Sequence, residues 1–310
     1  MAERDIVVIG ASAGGVEALK KVVQGLSPDI RASFFVVLHF PPFQKSHLPE
    51  ILSNVGVFPA THPRNGDSIQ PGRIYVAPPD RHLLVKNGRI ELWHGPKENY
   101  VRPALNPLFR TAAETYGPRV IGVVLTGLLD DGTAGLIEIK NRGGIAVVQD
   151  PDEALFSSMP RSALKRDHVD YSVKLSEMAE LLASLIRGSH VKQTIEDTVN
   201  ANNPYTLTGL TCPECRGPLS EHEDGTLTEL RCRVGHLYSL ESAVAAHADT
   251  QERTLWSAVV ALEEGASLFR KAAAQSEGSQ AERLMKQAEI RQGNAQIIRG
   301  MLENLPEEVL

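Results

Sequence analysis

The sequence predicts an α/β fold, doubly wound around a mostly parallel sheet with an antiparallel hairpin, followed by a small cysteine-containing module and a C-terminal α-helical hairpin. Three observations predict it: short apolar runs alternate with helix-period segments over residues 1–187, three cysteines and a histidine lie between residues 212 and 236, and two long amphipathic stretches follow. Strands that alternate with helices form a parallel sheet with both faces covered. A chain of 310 residues is long enough for one large core and a smaller part beside it.

The elements of the first part are set by apolar runs of strand length and by segments with helical spacing between them. The predicted strands cover residues 5–9, 33–38, 73–76, 82–86, 89–93, 120–125 and 145–149. The predicted helices cover residues 16–26, 48–55, 106–116, 133–142, 162–166 and 176–186. Asn87-Gly88 separates two of these strands, and this dipeptide is the strongest signal for a two-residue hairpin turn.

The composition changes after residue 187, where the predicted catalytic domain of residues 1–187 ends. Residues 188–208 are polar and rich in asparagine, which predicts a linker. Residues 209–238 contain all three cysteines, and residues 239–310 contain two predicted helices, 239–275 and 280–305. A Ser-Glu-Gly-Ser break at 276–279 separates the two helices and predicts an antiparallel pair.

Charge and hydropathy exclude several classes of protein. The formal net charge is −6, which gives no support for nucleic-acid binding through bulk charge. The apolar runs are too short to span a bilayer, and the N-terminus lacks the basic and apolar regions of a secretory signal. We therefore expect a cytoplasmic protein without direct membrane insertion. In that reducing compartment, three cysteines favour a metal site over a disulfide framework.

The first predicted strand runs into a glycine-rich loop, in which residues 10–15 read Gly-Ala-Ser-Ala-Gly-Gly. Glycine permits close approach of the backbone, and the helix that follows presents unpaired N–H groups. A dinucleotide-binding loop is disfavoured because the G-x-G-x-x-G spacing is absent and His39 stands where an acidic ribose-binding residue would follow the second strand. Two interpretations remain: a structural tight turn, or a nucleophile, Ser12, beside an oxyanion hole.

A histidine and an aspartate follow two other predicted strands. The second strand runs directly into His39, and the strand over residues 120–125 leads into a loop that contains Asp130 and Asp131. In an open parallel sheet, ligands bind beyond the carboxyl ends of the strands. A serine, a histidine and an aspartate at three such ends supply nucleophile, base and orienting acid, the parts of a hydrolytic triad.

Several short motifs in order resemble those of the catalytic domain of CheB-type chemoreceptor glutamate methylesterases. They are Ile-Gly-Ala-Ser-Ala-Gly-Gly at 9–15, Leu-His-Phe-Pro-Pro at 38–42, Ile-Tyr-Val-Ala-Pro-Pro-Asp-Arg-His at 74–82, Arg-Pro at 102–103, Leu-Thr-Gly through Asp-Gly at 125–132, and Met-Pro-Arg at 159–161. The resemblance covers residues 4–187. It implies a serine hydrolase that demethylates glutamate methyl esters on methyl-accepting chemoreceptors or similar signalling proteins, with glutamine deamidation as a further activity and no cofactor for catalysis.

The resemblance also implies roles for single residues. Ser12 is the nucleophile, His39 the base and Asp131 the acid; Asp130 competes, but Asp131 directly precedes the glycine of the motif. Another triad remains open, because residues 10–14 also fit the Gly-x-Ser-x-Gly elbow of α/β-hydrolases, which would recruit His168. That elbow follows several strands, whereas Ser12 follows the first, so we favour His39.

Four further residues are candidates for the oxyanion hole or for substrate binding: Ala13, Gly14, Leu128 and Arg102. Ala13 stands where the family has threonine and Leu128 where it has methionine, so we expect the substrate fit to differ. Arg102 meets either the acidic surroundings of a substrate or a surface ion-pair partner, and both roles stay open. The chain starts at the catalytic strand without the phosphoreceiver domain common in the family, so we expect regulation by a separate response regulator or another protein.

The cysteines form the pattern C-x2-C-x16-C-x3-H, with Cys212, Cys215, Cys232 and His236 as ligands. Three thiolates and an imidazole suit tetrahedral zinc, and four protein ligands leave no open position, so the predicted site is structural and zinc-ribbon-like. Reduced free thiols are the alternative. A nucleic-acid ribbon fits the pattern too, but the balance of charges in the segment favours a brace for the helices. The segment also resembles C-terminal extensions of some stand-alone CheB-like proteins.

Two functions from different classes follow from these observations. The first is an active methylesterase, which the intact Ser12, His39 and Asp131 favour. The second is a catalytically weakened chemosensory interaction or regulatory module that acts through its C-terminal helices, which the departures at Ala13 and Leu128 keep open. Methanol release from a methylated receptor by wild type and Ser12→Ala protein distinguishes them.

Overall fold

A seven-stranded sheet organises the first part of the molecule. The computed structural model describes residues 4–165, 168–188, 205–224 and 227–303, and the chain divides into two compact units, Met1–Ala243 and Val244–Leu310. The strands of the sheet are β1 (Ile6–Ala11), β2 (Ser33–Leu38), β3 (Ala60–Thr61), β4 (Arg73–Val76), β7 (Val120–Val124), β8 (Ile145–Gln149) and β9 (Tyr171–Val173). Their spatial order is β3-β4-β2-β1-β7-β8-β9, and every neighbouring pair is parallel.

Helices cover both faces of this sheet, as the alternation of elements predicts. They are α1 (Gly15–Gln24), α2 (Leu48–Val55), α3 (Leu105–Tyr116), α4 (Thr133–Asn141), α5 (Ser158–Leu164) and α6 (Leu175–Ile186). One apolar cluster joins α1, α2 and α6 to one face, and a second joins α3, α4 and α5 to the other. Because strand side chains alternate between faces, neighbouring residues such as Val7 and Val8 belong to different clusters. The predicted doubly wound fold is confirmed.

The predicted hairpin is also confirmed and forms a sheet of its own. Strands β5 (His82–Lys86) and β6 (Arg89–Trp93) pair antiparallel around Asn87 and Gly88, which both have positive φ. A two-residue turn in which both residues have positive φ matches the twist of the flanking strands. Asparagine and glycine tolerate positive φ, which explains why this dipeptide forms the turn. The apolar side chains of the hairpin join the cluster under α3.

A separate sheet of four antiparallel strands holds the cysteines. Its strands are β10 (Thr206–Thr211), β11 (Pro218–Asp224), β12 (Leu227–Cys232) and β13 (Leu237–Ser239), which pair in chain order. The part of the predicted linker at 189–204 lies outside the described residues, and residues 206–208 belong to β10 rather than to a linker. This sheet belongs to the same compact unit as the large one.

Two long helices follow, α7 (Leu240–Ala274) and α8 (Gly278–Glu303), close to the predicted bounds. The C-terminal unit contains α8 and all of α7 except its first turn, residues 240–243. Val259, Ala295 and Leu302 form its small apolar centre. An ion pair of 2.7 Å joins Arg299 to Glu263, and Arg270 donates to Gln292 at 3.1 Å. The later residue of α8, Arg299, contacts the earlier residue of α7, Glu263, so the two helices run antiparallel. No helix among the described residues is long and apolar enough to cross a membrane.

In the first part of the chain, three elements differ from the prediction by more than a small shift of their ends. Helix α5 begins at Ser158 rather than at residue 162, because Pro160 in its first turn removes only an N–H that has no partner in the helix. Strand β3 has two residues, which is too short for an alternating pattern. Strand β9 is short and half-exposed, and its pairing with β8 is what makes it a strand.

Candidate active site and Cys3His cluster

Three neighbouring strands bring the predicted triad together at one edge of the large sheet. Strand β1 lies between β2 and β7, with Ala11 opposite Leu38 and Gly10 opposite Val124. The ladder continues beyond the strands: the N–H of His39 donates to the carbonyl of Ala11 at 3.2 Å, and that of Ser12 to the carbonyl of Thr126 at 3.0 Å. The carboxyl ends of β1, β2 and β7 therefore place Ser12, His39 and the Asp131 loop side by side.

His39 and Asp131 form a direct pair. The Nε2 of His39 lies 2.8 Å from the Oδ2 of Asp131, whose side chain is 3% exposed. Other N–H groups donate to the carboxylate: Leu105 N at 2.6 Å, Asn99 Nδ2 at 3.0 Å, Gly132 N at 3.1 Å and Asn106 N at 3.4 Å. Burial acts to raise the pKa of Asp131, but the imidazole of His39 and these donors hold it below its usual value.

The pairing sets the roles of the two ring nitrogens of His39. An ionised carboxylate only accepts hydrogen bonds, so in neutral His39 the proton is on Nε2, which faces Asp131. The lone pair is then on Nδ1, the nitrogen available to act as a base. No hydrogen bond joins His39 to the Ser12 hydroxyl, both of which the structure describes; such bonds often tighten only when substrate is bound.

Ser12 lies in a sharp turn between β1 and α1. Its carbonyl accepts from Gly15 N at 2.9 Å, and Gly14 adopts the left-handed conformation with φ of 74° as the residue before α1. Among the described residues, the N–H groups of Ala13 and Gly14 donate to no carbonyl or side chain. Two unpaired N–H groups beside a serine, at the positive end of a helix dipole, suit a developing oxyanion.

Thr126 and Gly127 fix this turn, and the sequence analysis assigned neither of them a role. The hydroxyl of Thr126 donates to the carbonyl of Ala13 at 3.0 Å and accepts from Phe156 N at 2.9 Å. A Cβ on Gly127 would lie 2.8 Å from the Cβ of Ser12 and closer still to Met159. The Thr-Gly dipeptide after β7 therefore allows the serine turn to pack closely, which is a packing reason for this part of the motif.

Leu128 and Arg102 differ in how available they are to a substrate. Leu128 is 46% exposed in the loop after β7. The side chain of Arg102 is 15% exposed, and its guanidinium donates to Asp80 at 2.7 and 2.9 Å and to the carbonyl of Gly95. These contacts favour the ion-pair role for Arg102, whereas the Leu128 side chain is open to solvent.

Asp130 and His168 are not part of the pair that His39 forms with Asp131. Asp130 turns away from His39 and accepts from the hydroxyls of Ser239 at 2.8 Å and Ser242 at 3.0 Å. Burial raises the pKa of Asp130 to about 6. His168 donates no hydrogen bond to Asp131, so the geometry supports the triad with His39 over the alternative with His168.

The four predicted metal ligands form one compact cluster. The candidate ligand atoms of Cys212, Cys215, Cys232 and His236 all lie within 4.8 Å of one another. The Sγ atoms of Cys215 and Cys232 are 3.6 Å apart, and Nδ1 of His236 is 3.6 Å from Cys212 and 3.4 Å from Cys232. The distance between Cys215 and Cys232 is far above the sulfur–sulfur bond length of a disulfide, about 2.05 Å, and all three cysteines are free.

Two tight turns bring the four candidate ligands close together. The first follows β10, where the N–H of Arg216 donates to the carbonyl of Cys212 at 2.9 Å and Arg216 has a φ of 59°. The second follows β12, where Gly235, with a φ of 107°, donates to the carbonyl of Cys232 at 3.0 Å. Burial opposes ionisation of Cys232, but backbone N–H groups of its own turn keep its pKa below the usual value.

The fold and the site together define a class of protein. A parallel, doubly wound sheet that presents a serine, a paired histidine and a buried aspartate at adjacent strand ends has the arrangement of an α/β hydrolytic enzyme. The model of the family described as CheB methylesterase matches residues 7–182. The chain belongs to the CheB methylesterase family.

Relatives and a solved structure agree with this assignment. A Leptospira interrogans protein is 38% identical over 182 residues, which cover 58% of this chain and 94% of that protein. A Pyrococcus abyssi protein named protein-glutamate methylesterase/protein-glutamine glutaminase is 36% identical over 192 residues, which cover 60% of this chain and 52% of that protein. The chain thus spans about half of such longer relatives. The crystal structure of the Thermotoga maritima CheB methylesterase catalytic domain matches with a TM-score of 0.57 and 32% identity, over 59% of this chain and all of that chain.

Proposed function

We propose that this protein is a serine hydrolase that demethylates glutamate methyl esters on chemoreceptor-type signalling proteins and deamidates glutamine side chains. One observation carries the proposal: His39 and the buried Asp131, 2.8 Å apart, lie with Ser12 at the carboxyl ends of three adjacent strands. The printed names of relatives such as the Pyrococcus abyssi protein support the substrate and both activities. We also propose a cytoplasmic location, where the enzyme would meet the signalling domains of such substrates.

Acylation uses only protein groups. The hydroxyl of Ser12 attacks the ester carbonyl of the glutamate side chain while Nδ1 of His39 takes its proton. The positive charge that develops on the imidazole is stabilised by Asp131 through Nε2. The N–H groups of Ala13 and Gly14 receive the oxyanion, and the family departure at Ala13 leaves this donor intact because it belongs to the main chain. His39 returns the proton to the leaving methoxide, which departs as methanol.

Deacylation repeats the same steps with water as the nucleophile. His39 takes a proton from water, the resulting hydroxide attacks the acyl group on Ser12, and the serine leaves with the proton returned to it. A glutamate carboxylate is released. With a glutamine side chain, the leaving group of acylation is ammonia instead of methanol, and the remaining steps are unchanged. No step requires a cofactor.

The experiment that tests the proposal measures methanol and ammonia release from methylated and unmodified receptor cytoplasmic domains. The Ser12→Ala protein should lose on the order of 10³-fold or more in turnover with both substrates. Ser172→Ala is a matched control, because Ser172 is exposed in β9 and far along the sheet from β1. Turnover by Ser12→Ala at the wild-type rate would contradict this mechanism. A wild-type protein that releases neither methanol nor ammonia would instead support the weakened interaction module that acts through the C-terminal helices.

We also propose that Cys212, Cys215, Cys232 and His236 hold a structural Zn²⁺. Tetrahedral zinc, with bonds of about 2.3 Å to sulfur and about 2.0–2.1 Å to nitrogen, separates two sulfurs by about 3.8 Å and a sulfur from a nitrogen by about 3.6 Å. The observed separations of 3.4–3.6 Å lie close to these values. Four protein ligands complete the coordination, so the ion would supply cross-linking rather than chemistry.

Metal analysis of the purified protein tests the zinc proposal. We expect one zinc per chain, lost in the Cys215→Ser protein, and thiols that react with a thiol reagent only after a chelator is added. An exposed serine, Ser172, again supplies the control as Ser172→Ala, which should keep its zinc. Purified wild-type protein with no stoichiometric zinc and with freely reactive thiols would remove the site.

A further inference from the structure

The Cys3His module comprises residues 205–239. Its last strand, β13, pairs with a loop of the catalytic domain. Leu237 in β13 forms a parallel bridge with Glu98, and its carbonyl accepts from Asn99 N at 2.8 Å. At the same joint, Lys97 and Glu214 form an ion pair of 2.7 Å. The module is thus joined by main-chain hydrogen bonds to a loop that lies between the hairpin and α3.

Asn99 is the residue through which this joint reaches the active site. It is buried, and it has a positive φ of 49°, a conformation that asparagine tolerates better than most residues. Its Oδ1 accepts from the backbone N–H of Ser239 at 3.1 Å, and its Nδ2 donates to Oδ1 of Asp131 at 3.0 Å. Both bonds require the same orientation of the amide group, because a flipped amide would lose both. One side chain therefore connects β13 to the acid of the proposed triad.

The neighbouring carboxylate makes a second connection to the module. Ser239 directly precedes α7, and its hydroxyl accepts from Ser242 N at 3.0 Å, as a helix N-cap does. The hydroxyls of Ser239 and Ser242 both donate to Asp130. Asp130 and Asp131 are adjacent in the chain, so the loop after β7 is held by His39 through one carboxylate and by the module through the other.

From these contacts we infer that the Cys3His module is a positioning element of the active site, an inference that rests on the proposed function. Ordered turns at Cys212 and Cys232 fix β13, β13 fixes the amide of Asn99, and Asn99 helps to hold Asp131 in the orientation that pairs with His39. The module touches no substrate in this scheme, and Asn99 is a positioning residue rather than a catalytic one. Loading of the module with metal therefore controls how well the triad is aligned.

The strength of the effect is limited by the other donors to Asp131. Leu105, Gly132 and Asn106 also donate to its oxygens, so the carboxylate keeps most of its partners when Asn99 is changed. Partners that orient a functional group in this indirect way typically contribute about 10–100-fold to activity. The module would thus adjust turnover and not switch it on from zero.

The test uses the full chain, loaded with zinc, with Asn99→Gly as the main variant. Glycine keeps the positive φ but removes both amide bonds, so the joint loses its connection to Asp131 without backbone strain. We expect kcat to fall about 10–100-fold, with KM changed by less than about threefold. The acid limb of the kcat profile should move to higher pH, because an Asp131 that has lost a donor attracts the imidazole proton more strongly.

Two further variants distinguish a module that positions Asp131 from a module that is only attached to the catalytic domain. Glu214→Gln breaks the ion pair to Lys97 at the same joint but leaves Asn99 untouched, and it should keep turnover and the pH profile of the wild type, since partly exposed ion pairs contribute little. Cys215→Ser should lose metal and reproduce the pH shift of Asn99→Gly. Hydrogen exchange read by mass spectrometry should show faster exchange at residues 97–101 and 125–133 in both Cys215→Ser and Asn99→Gly.

The outcomes distinguish the inference from the proposed function. Wild-type kcat and pH profile in Asn99→Gly, with Ser12→Ala inactive, would overturn the positioning role and leave the hydrolase intact. An inactive wild-type protein would overturn the hydrolase. In that case the exchange data still decide whether the module orders the Asp131 loop: unchanged exchange at 125–133 in both variants would overturn that ordering as well.

Discussion

The carboxyl ends of β1, β2 and β7, which form the catalytic edge of the large sheet, and the Cys3His module hold their functional side chains in opposite ways. Ser12, His39 and Asp131 follow strands that are buried on both faces between two large apolar clusters. The module has few fully buried side chains, among them Leu219, Leu230 and Tyr238, and the outer strand β10 is mostly exposed. The first site is ordered by a core, whereas in the zinc proposal the second is ordered by its metal ligands. A core of this kind survives the loss of one polar residue, whereas so small a sheet would depend on the proposed metal cross-link.

The two regions meet at two adjacent carboxyl groups whose pKa values are shifted in opposite directions. Both Asp130 and Asp131 are buried, yet the pKa of Asp131 lies below its usual value and that of Asp130 is raised to about 6. The difference comes from the donors: Asp131 faces an imidazole and several N–H groups, whereas Asp130 receives two neutral hydroxyls and lies near Glu241. Burial favours the neutral acid unless enough donors or charges oppose it.

The largest effect should come from the catalytic edge. We expect Asp131→Asn and His39→Ala each to lower turnover on the order of 10³-fold or more, and the double variant to lose little beyond the single ones, because the groups act as a unit. The fold should remain, since the strands before these residues are fixed by apolar packing. Methanol release and circular dichroism on the same preparations check both halves. Losses of turnover that add up in the double variant would contradict a pair that acts as a unit. Loss of the fold in His39→Ala would contradict a site that is held by apolar packing.

Removal of the metal should affect the other region. Structural zinc sites contribute apparent binding energies of about 10–16 kcal/mol in small peptides, so the module should lose most of its hydrogen-exchange protection at β11 and β12 when a strong chelator is added. The strands β1, β2 and β7 should keep theirs. Equal loss of protection in both regions would mean that they unfold as one cooperative unit. It would contradict the view that the two regions are ordered by different means.

The sequence predicted the catalytic edge better than it predicted the joint. Ser12, His39 and Asp131 each follow an apolar strand, and parallel topology brings strand ends together whatever their separation along the chain. Asn99 lies in a loop without periodicity, and its partner Ser239 lies 140 positions away, so no local pattern connects them. The choice between Asp130 and Asp131 could be made only by resemblance, because both carboxylates occupy the same loop.

The pH dependence of stability should sharpen the contrast between the two carboxylates. The folded pKa of Asp130, about 6, lies above the value of 3.8 for the free side chain, so the native state holds the proton longer than the unfolded chain does. Stability contributed by the protonated group is present below pH 4 and is lost as the pH rises through 6. Asp130→Asn mimics the protonated form and can still accept from both serine hydroxyls.

We therefore expect Asp130→Asn to gain stability relative to wild type as the pH is raised from 4 to 7, by about 2–3 kcal/mol. Denaturant unfolding of both proteins at several pH values measures this gain. Asp130→Glu, which keeps the charge, is the control and should show no such gain. Parallel curves for Asp130→Asn and wild type would show that Asp130 is not held as the structure indicates.

The smallest effect should come from Arg102. Its guanidinium is held by Asp80 and the carbonyl of Gly95, so Arg102→Met should change kcat/KM by less than about threefold while stability falls by about 1 kcal/mol. Turnover of receptor substrates with different numbers of acidic residues around the modified glutamate checks the result. A large rise in KM that grows with substrate charge would instead assign Arg102 to substrate binding.

The central claim, that Ser12 is acylated by a glutamate ester with help from the His39–Asp131 pair, is tested most directly by trapping the acyl-enzyme. A methylated receptor peptide is mixed with the zinc-loaded protein, the reaction is quenched in acid within the first turnover, and the digest is analysed by mass spectrometry. The account predicts a peptide adduct on Ser12 in wild type, much less of it in His39→Ala, and none in Ser12→Ala. Methanol release from wild type with no adduct on Ser12, or with an adduct on another residue, would contradict it.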